Sequence, residues 1–344
     1  MGDNNEDIIK TLKNKGLDKN VRVLKNENTG AIVYLVGTHH LSNHSSKELR
    51  DVIEIVKPDT VFLELSLDRK ILLVLDDKTL LDSLNKRPKL RWFNDSIVDF
   101  TLSLVNVVMY YSSKFTDQIP TPIIGNEFRI ANQYAQKNKC KLVLGDRDHN
   151  ATYNRIANSL DWSTLLKLSV SALAGLFYLS TNSKETVVKQ YNLENQKYLV
   201  DLDQYEGYAF PEPVNKILVD ERDRFMASTL RDLKESKRII AVVGKGHVKG
   251  ISKYLNEPTE GFYLRRDLEE FTEPTFISKY SYPIMLATPI LSVSALQTYA
   301  INRFLLYRKL PVNNRQKLIC FSLLSVANTF LLGRTLTSIQ NKFD

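Results

Sequence analysis

Cysteine is almost missing from this chain. Cys140 and Cys320 are its only two, they lie far apart, and neither belongs to a CxxC pair. That excludes a disulfide framework and a thiolate zinc knuckle. Each reads as a small buried apolar residue, and the scarcity fits a reducing compartment. Glycine and proline are sparse too, at 13 and 11 of 344 residues, with no low-complexity tract. The composition is that of a folded protein large enough for one big domain or two ordinary ones. The amino-terminal stretch MGDNNEDIIK has no apolar run and is acid-rich, so neither a secretory signal nor a transit peptide is expected in it. Glu6 stands where a myristoylation motif needs Ser or Thr, which sets aside Gly2 as a lipid acceptor.

Acidic residues are what the carboxyl-terminal region lacks. Of 47 Lys and Arg against 39 Asp and Glu, seven basic residues and one acidic residue fall in 281–344. The first 280 residues therefore hold 40 basic and 38 acidic side chains and are close to neutral. A nucleic-acid-binding body would be expected to carry a basic stripe, so nucleic acid is not expected as a partner. Ser281 to Asn302 runs 22 residues without a charge, and Leu318 to Gly333 runs 16 more. The linking stretch RFLLYRKLPVNNRQK has five basic residues and no acidic one. The first run is long enough to span a bilayer, with Pro283 and Pro289 able to kink it; the second reaches about 24 Å if helical. Two readings compete: a membrane hairpin or single span, and helices packed on the soluble domain. The basic link favours the membrane, because it suits an anionic cytoplasmic face. A shorter run, LSVSALAGLFYLS (168–180), is expected as a buried or interfacial helix rather than a span.

The body alternates strand and helix signals. Residues 7–19 read as a polar helix, and Val21–Leu24 with Ala31–Val36 flank the turn cluster NENTG as a hairpin. Leu49, Val52, Ile53 and Val56 keep helical spacing, with Ser45 or Ser46 as a cap and Pro58 as the stop. DTVFLEL (59–65) then reads as a buried strand, which completes a strand–helix–strand unit and hence a parallel sheet. Residues 70–115 look helical, 126–138 form another helix, and CKLVLGDRD (140–148) is a further strand. Helices then run to about 235. RIIAVVGKGHVKGI (238–251) is a strand crossing into a loop, and GFYLRRDL (261–268) an edge strand. The expected fold is α/β, a central mainly parallel sheet with surrounding helices, plus membrane-associated apolar helices at the carboxyl end. The expected divisions are a polar segment at 1–20, the α/β domain at 21–275 and an apolar hairpin at 281–335.

Histidine is scarce as well, with five in all, yet three fall in VYLVGTHHLSNHSS. Gly37-x-x-His40 recurs as Gly244-x-x-His247, each after an apolar strand. Ligands gather outside the carboxyl ends of parallel strands, so the two histidines can meet there. Glu64 interrupts an apolar strand, where a carboxylate is costly unless paired or bound to a cation. His40, Glu64 and His247 would make a His₂-carboxylate set usable by Zn²⁺, Mn²⁺ or Co²⁺. On spacing alone, each histidine also reads as an ordinary hydrogen-bonded residue at a strand end. GNEFR supplies Glu127 and Arg129, GDRD supplies Asp146 and Arg147, and ERDR supplies Glu221 and Arg222. The plain reading of these is surface ion pairs and acids favourable to helix starts.

Taken in order, VYLVGTHHLS with SKELRDVIEIVKPDTVFLEL, GNEFRIA, LVLGDRDHNATYNRI, DERDRFMASTL and AVVGKGHVKGI resemble the TraB/PrgY family of pheromone-shutdown-like proteins. The resemblance is closest to the eukaryotic TraB domain-containing branch and covers residues 30 to 255. The wider clan includes the Tiki metalloproteases, with paired GxxH motifs, and GumN. The resemblance implies a metal-dependent, peptidase-like hydrolase with His40, Glu64 and His247 at the metal. Glu127 would carry the proton, Arg147 or Arg129 would steady an oxyanion, and Glu221 and Arg222 also match motif positions. His39 and His44 are then bystanders. It further implies an intracellular organelle membrane, the mitochondrial outer membrane among them, with the α/β domain cytosolic. The competing expectation is a catalytically inactive membrane tether or binding module with a peptide or protein partner.

Overall fold

A computed structural model describes residues 2–38, 43–74, 125–183, 185–187, 189–190, 202, 211–257, 261–308 and 313–343. The described chain separates into two compact units, one ending at Glu273 and the other beginning again at Pro274.

The first unit is built on a five-stranded sheet. Helix α1 (Gly2–Asn14) leads to β1 (Val21–Lys25) and β2 (Ile32–Thr38), then to α2 (Asn43–Val56) and β3 (Thr60–Leu63). Helix α3 (Asn126–Asn138) precedes β4 (Lys141–Leu144), followed by α4 (His149–Ser159) and α5 (Trp162–Thr181). A short helix α6 (Glu212–Asn215) passes through a π-helical turn, Lys216–Asp220, into α7 (Glu221–Arg231). Strand β5 (Arg238–Gly244) and helices α8 (Lys245–Tyr254) and α9 (Gly261–Glu269) close the unit.

The strand order is β1-β2-β5-β3-β4, antiparallel between β1 and β2 and parallel elsewhere. The mainly parallel α/β sheet expected from the sequence is therefore present. The sequence left the strand order open. β5, the last strand among the described residues, lies between β2 and β3, paired to both. Its run IIAVV is buried throughout, as a central strand covered on both faces requires.

Side-chain alternation divides the core in two. Tyr34, Val36, Val61, Leu63, Ile240 and Val242 face one way, against Leu12 of α1, Leu49 and Ile53 of α2 and Ala131 of α3. Val33, Leu35, Phe62, Ile239, Ala241 and Val243 face the other way, against Met226 and Leu230 of α7 and Val248 and Ile251 of α8. The period of two carries the chain's apolar residues to both faces of one sheet.

Two sequence expectations change. Residues 261–268 form α9, not an edge strand. Leu264 and Leu268 recur at helical spacing, and Leu268 is buried while Arg265 reaches Ser228 and Asp232 of the α7 region. The stretch after β5 is not a loop: Gly244 passes directly into α8, which puts His247 in its first turn. The expected helix over 70–115 lies outside the described residues beyond Val74, where a short 3₁₀ helix, Leu67–Leu73, ends. Helix α5 is apolar enough over Trp162–Leu179 to cross a membrane by length and composition, and it is mostly exposed rather than buried.

The second unit holds α10 (Phe276–Tyr307) and α11 (Asn314–Phe343). Ser294 of α10 is fully buried, and the Asn328 amide of α11 donates to Ser294 Oγ and Gln297 Oε1, 2.9 Å each. Leu291, Val293, Leu296, Tyr299, Phe304, Leu318, Leu323 and Val326 are exposed. Polar groups thus meet inside this pair while large apolar ones face outward.

Candidate functional site

Three parallel strands deliver their carboxyl ends to one edge of the sheet. Glu64 follows β3 directly, and its backbone N–H still donates to Val242 O of β5 at 3.0 Å. Asp146 follows β4 after Gly145, a position where any Cβ would fall 1.9 Å from the Phe62 ring. His247 follows β5 in the first turn of α8. From the opposite side α7 contributes Glu221, Arg222 and Asp223.

Arg222 joins these groups. Its Nε and Nη2 donate to the two oxygens of Asp146 at 2.9 and 2.8 Å, a planar fork on a carboxylate. Nη2 also reaches Glu64 Oε1 at 2.5 Å, and Nη1 donates to Leu218 O at 3.1 Å. Glu64 Oε2 accepts from the Gly244 backbone N–H at 2.6 Å, so the carboxylate is pinned to the end of the neighbouring strand. Burial opposes the Arg222 charge, but Asp146 and Glu64 outweigh it and raise its pKa.

His247 sits between two carboxylates. Its Nδ1 is 2.6 Å from Asp223 Oδ1, and its Nε2 is 3.1 Å from Glu64 Oε1 and 3.2 Å from Arg222 Nη1. Burial disfavours the imidazolium, yet Glu64 and the Asp223 hydrogen bond more than offset it, and the pKa rises to about 9. Burial also lifts Asp223 to about 6, against the pull of His247. The two carboxylates thus favour the protonated ring, with Nδ1 placed to donate to Asp223. In the neutral ring, with Nδ1–H kept on Asp223, Nε2 becomes a lone pair directed at Glu64 and Arg222.

A second buried network lies beside the first. Arg147 is fully buried; it donates to Glu221 Oε2 at 2.6 Å, to Thr152 Oγ1 at 3.0 Å and to the carbonyls of Ile217 and Leu268. Arg155 of α4 grips the same Glu221 through Nε and Nη2 at 2.8 and 3.0 Å. Burial raises the Glu221 pKa, but the two guanidinium groups prevail and leave it lowered. The π turn serves both networks, because Ile217 O takes Arg147 and Leu218 O takes Arg222.

The structure thus brings Glu64, Arg222 and His247 into direct contact and sets Arg147 and Glu221 together next to them. Glu127 and Arg129 are buried in the first turn of α3. His39 and His40 lie outside the described residues. Asp146 is singled out by the GDRD stretch without a role, and Asp223 is not among the sequence candidates. Asp223 follows Glu221 and Arg222 in a stretch that reads as an ordinary acidic helix start. Only its distance from a histidine 24 positions on reveals its role.

Among the described residues, no group of three His, Cys, Asp or Glu side chains is arranged to hold a metal ion. The nearest candidate pair is His247 Nε2 and Glu64 Oε1, 3.1 Å apart. Two ligands about 2.0–2.2 Å from a tetrahedral ion stand about 3.3–3.6 Å apart, so the pair would have to open slightly and Arg222 move off Glu64 Oε1. Asp223 on the far ring nitrogen is the carboxylate partner that metal-bound histidines usually have.

Comparison with known proteins agrees with the sequence resemblance. Residues 164–263 match the model of the TraB/PrgY/gumN family. The chain is 31% identical over 245 residues to the mouse TraB domain-containing protein, covering 65% of this chain and 62% of that one. The human TraB domain-containing protein is 31% identical over 247 residues, with the same coverage. An uncharacterized protein of Methanocaldococcus jannaschii is 28% identical over 250 residues, covering 71% of this chain and 58% of its own length. The chain thus spans about three fifths of the length of these relatives. Over these stretches it is similar to the TraB/PrgY/gumN family and to TraB domain-containing proteins.

Proposed function

We propose that the crevice at the ends of β3, β4 and β5 is the active site of a divalent-cation-dependent hydrolase acting on a peptide or protein. The observation that carries this reading is the alignment Asp223–His247–Glu64, with Nε2 and Oε1 3.1 Å apart at the carboxyl ends of parallel strands. His247 Nε2 and Glu64 Oε1 would hold the ion, with His40, from the matching Gly37-x-x-His40, as the further ligand. Zn²⁺, Mn²⁺ and Co²⁺ all suit such donors, and the ion would supply Lewis acidity and water activation at neutral pH. Asp223 holds the ring so that Nε2 faces the crevice, and binding requires His247 to give up its Nε2 proton. Arg222, with its donors on Asp146, Glu64 and Leu218 and its Nη1 3.2 Å from His247 Nε2, holds these groups in place rather than contacting a substrate. Arg147 acts through Glu221, holding α4 and the π turn in register. Glu127 as proton carrier and Arg129 beside an oxyanion rest on the sequence resemblance alone; both are buried in the first turn of α3.

The second unit is proposed as a membrane hairpin. Ser294, Gln297 and Asn328 meet inside it and large apolar side chains face outward, the arrangement lipid favours and water does not. The basic residues between the helices suit an anionic leaflet. Such an anchor would place the body on the cytosolic face of an organelle membrane, for which the mitochondrial outer membrane is the first to examine.

A second reading has its own support. Arg222 satisfies Glu64 and Asp146 as a resident cation, so the crevice is balanced without a metal, as a non-catalytic binding or tethering module would need. To separate the two, the full chain is purified in detergent and assayed for bound metal and for cleavage of a peptide library, beside H247A and E64Q. Cation-dependent cleavage lost in both variants supports the hydrolase. A chain whose partner binding survives both substitutions, with no cleavage at any cation concentration, supports the binding module.

A further inference from the structure

We infer that Gly250 is a positioning residue for the candidate site, present because only a missing side chain lets Asp223 reach His247. This rests on the reading of the crevice as a site organised around the His247 ring. Gly250 lies inside α8, where glycine is a poor helix former and has to be explained by something other than local preference. His247 and Gly250 are three residues apart on that helix and so share a face. Asp223 of α7 lies against the same face. A Cβ at position 250 would stand 1.9 Å from Asp223 Oδ2, 2.6 Å from its Cγ and 2.9 Å from its Cβ. All three distances are too short for non-bonded atoms, so the whole Asp223 side chain would have to turn away.

Asp223 has nowhere equivalent to go. It is 3% exposed, and its Oδ1 is spent on His247 Nδ1 at 2.6 Å. Turning the carboxylate away releases Nδ1. The ring is then free to rotate or change tautomer, and Nε2 is no longer committed to Glu64. Gly250 therefore acts through Asp223 and touches no reacting atom.

Two measurements on the full chain test this. The first is long-range ¹H–¹⁵N correlation on histidine-labelled protein, with His247 assigned by loss of its signals in H247Q. The wild-type ring should show a strongly hydrogen-bonded, downfield Nδ1 proton, and G250A should lose it. The second is a thermal double-mutant cycle. G250A should lower Tm in the native background and raise it in D223G, because Ala is the better helix former once the whole Asp223 side chain, its Cβ included, is gone. A G250A chain that fails to fold and is restored by adding D223G gives the same answer. An unchanged Nδ1 signal in G250A, or a Tm lowered equally in both backgrounds, overturns the inference. Neither readout involves a cation or turnover, so a chain that binds no metal still decides the role of Gly250.

Discussion

Glu64, Asp146 and Glu221 are held by arginine, and these pairings have consequences that can be measured. Glu221 carries the clearest pH signature. Its pKa in the fold lies below the ordinary 4.5, so its stabilisation is complete above that value and is lost as pH falls through the lower folded value. Urea denaturation between pH 5 and about 3 should show a loss of stability that E221Q flattens. At neutral pH the same substitution should cost about 3–5 kcal/mol, because Arg147 is left buried without its partner. Arg222 should not tolerate lysine. R222K keeps the charge but cannot reproduce the two-pronged bond to Asp146, and a loss of about 1–3 kcal/mol is expected by the same assay. At this scale the sequence was partly readable. Glu64 stood out as a carboxylate interrupting an apolar run, and His247 through its spacing from Gly244. Arg147 looked available to a substrate, and only its four protein partners show where its donors point. Asp223 gave no sign, since its meaning lies wholly in a contact across space.

The elements show a similar division. α3 could be read at Asn126–Asn138 because its apolar positions keep helical period and Gly125, at φ 82°, starts it. The β1–β2 hairpin could be read from its turn cluster. α9 could not, because GFYLRRDL has the aromatic and branched content of an edge strand, and its helicity comes from contacts with α7. The passage from β5 into α8 without a loop was also hidden, although it is what aims His247. Central placement makes β5 the most sensitive strand to truncation. I240A should destabilise by about 2–5 kcal/mol in urea denaturation, since Ile240 is fully buried under the α1–α3 layer.

On the scale of the molecule, the α/β class followed from alternating strand and helix signals. The insertion of β5 between β2 and β3 did not, because strand order is settled by which faces the helices cover. The insertion places the last described strand beside two early ones, so that residues 64, 146, 222 and 247 converge. The inverted polarity of the carboxyl-terminal pair bears on anchoring. N328L should leave the full chain in the pellet after alkaline carbonate extraction, while weakening the helix pair by about 0.6–2 kcal/mol in detergent unfolding. Extraction of the wild-type chain by carbonate would contradict the membrane assignment.

The central proposal is that His247 Nε2 and Glu64 Oε1 would share one divalent ion. Calorimetric titration of the full chain with Zn²⁺, Mn²⁺ and Co²⁺, run in buffers of different ionisation heat, tests it most directly. One site per chain is expected, with proton release on binding, and both should be lost in H247Q and in E64Q. Equal stoichiometry and affinity in wild type and both variants would contradict the account.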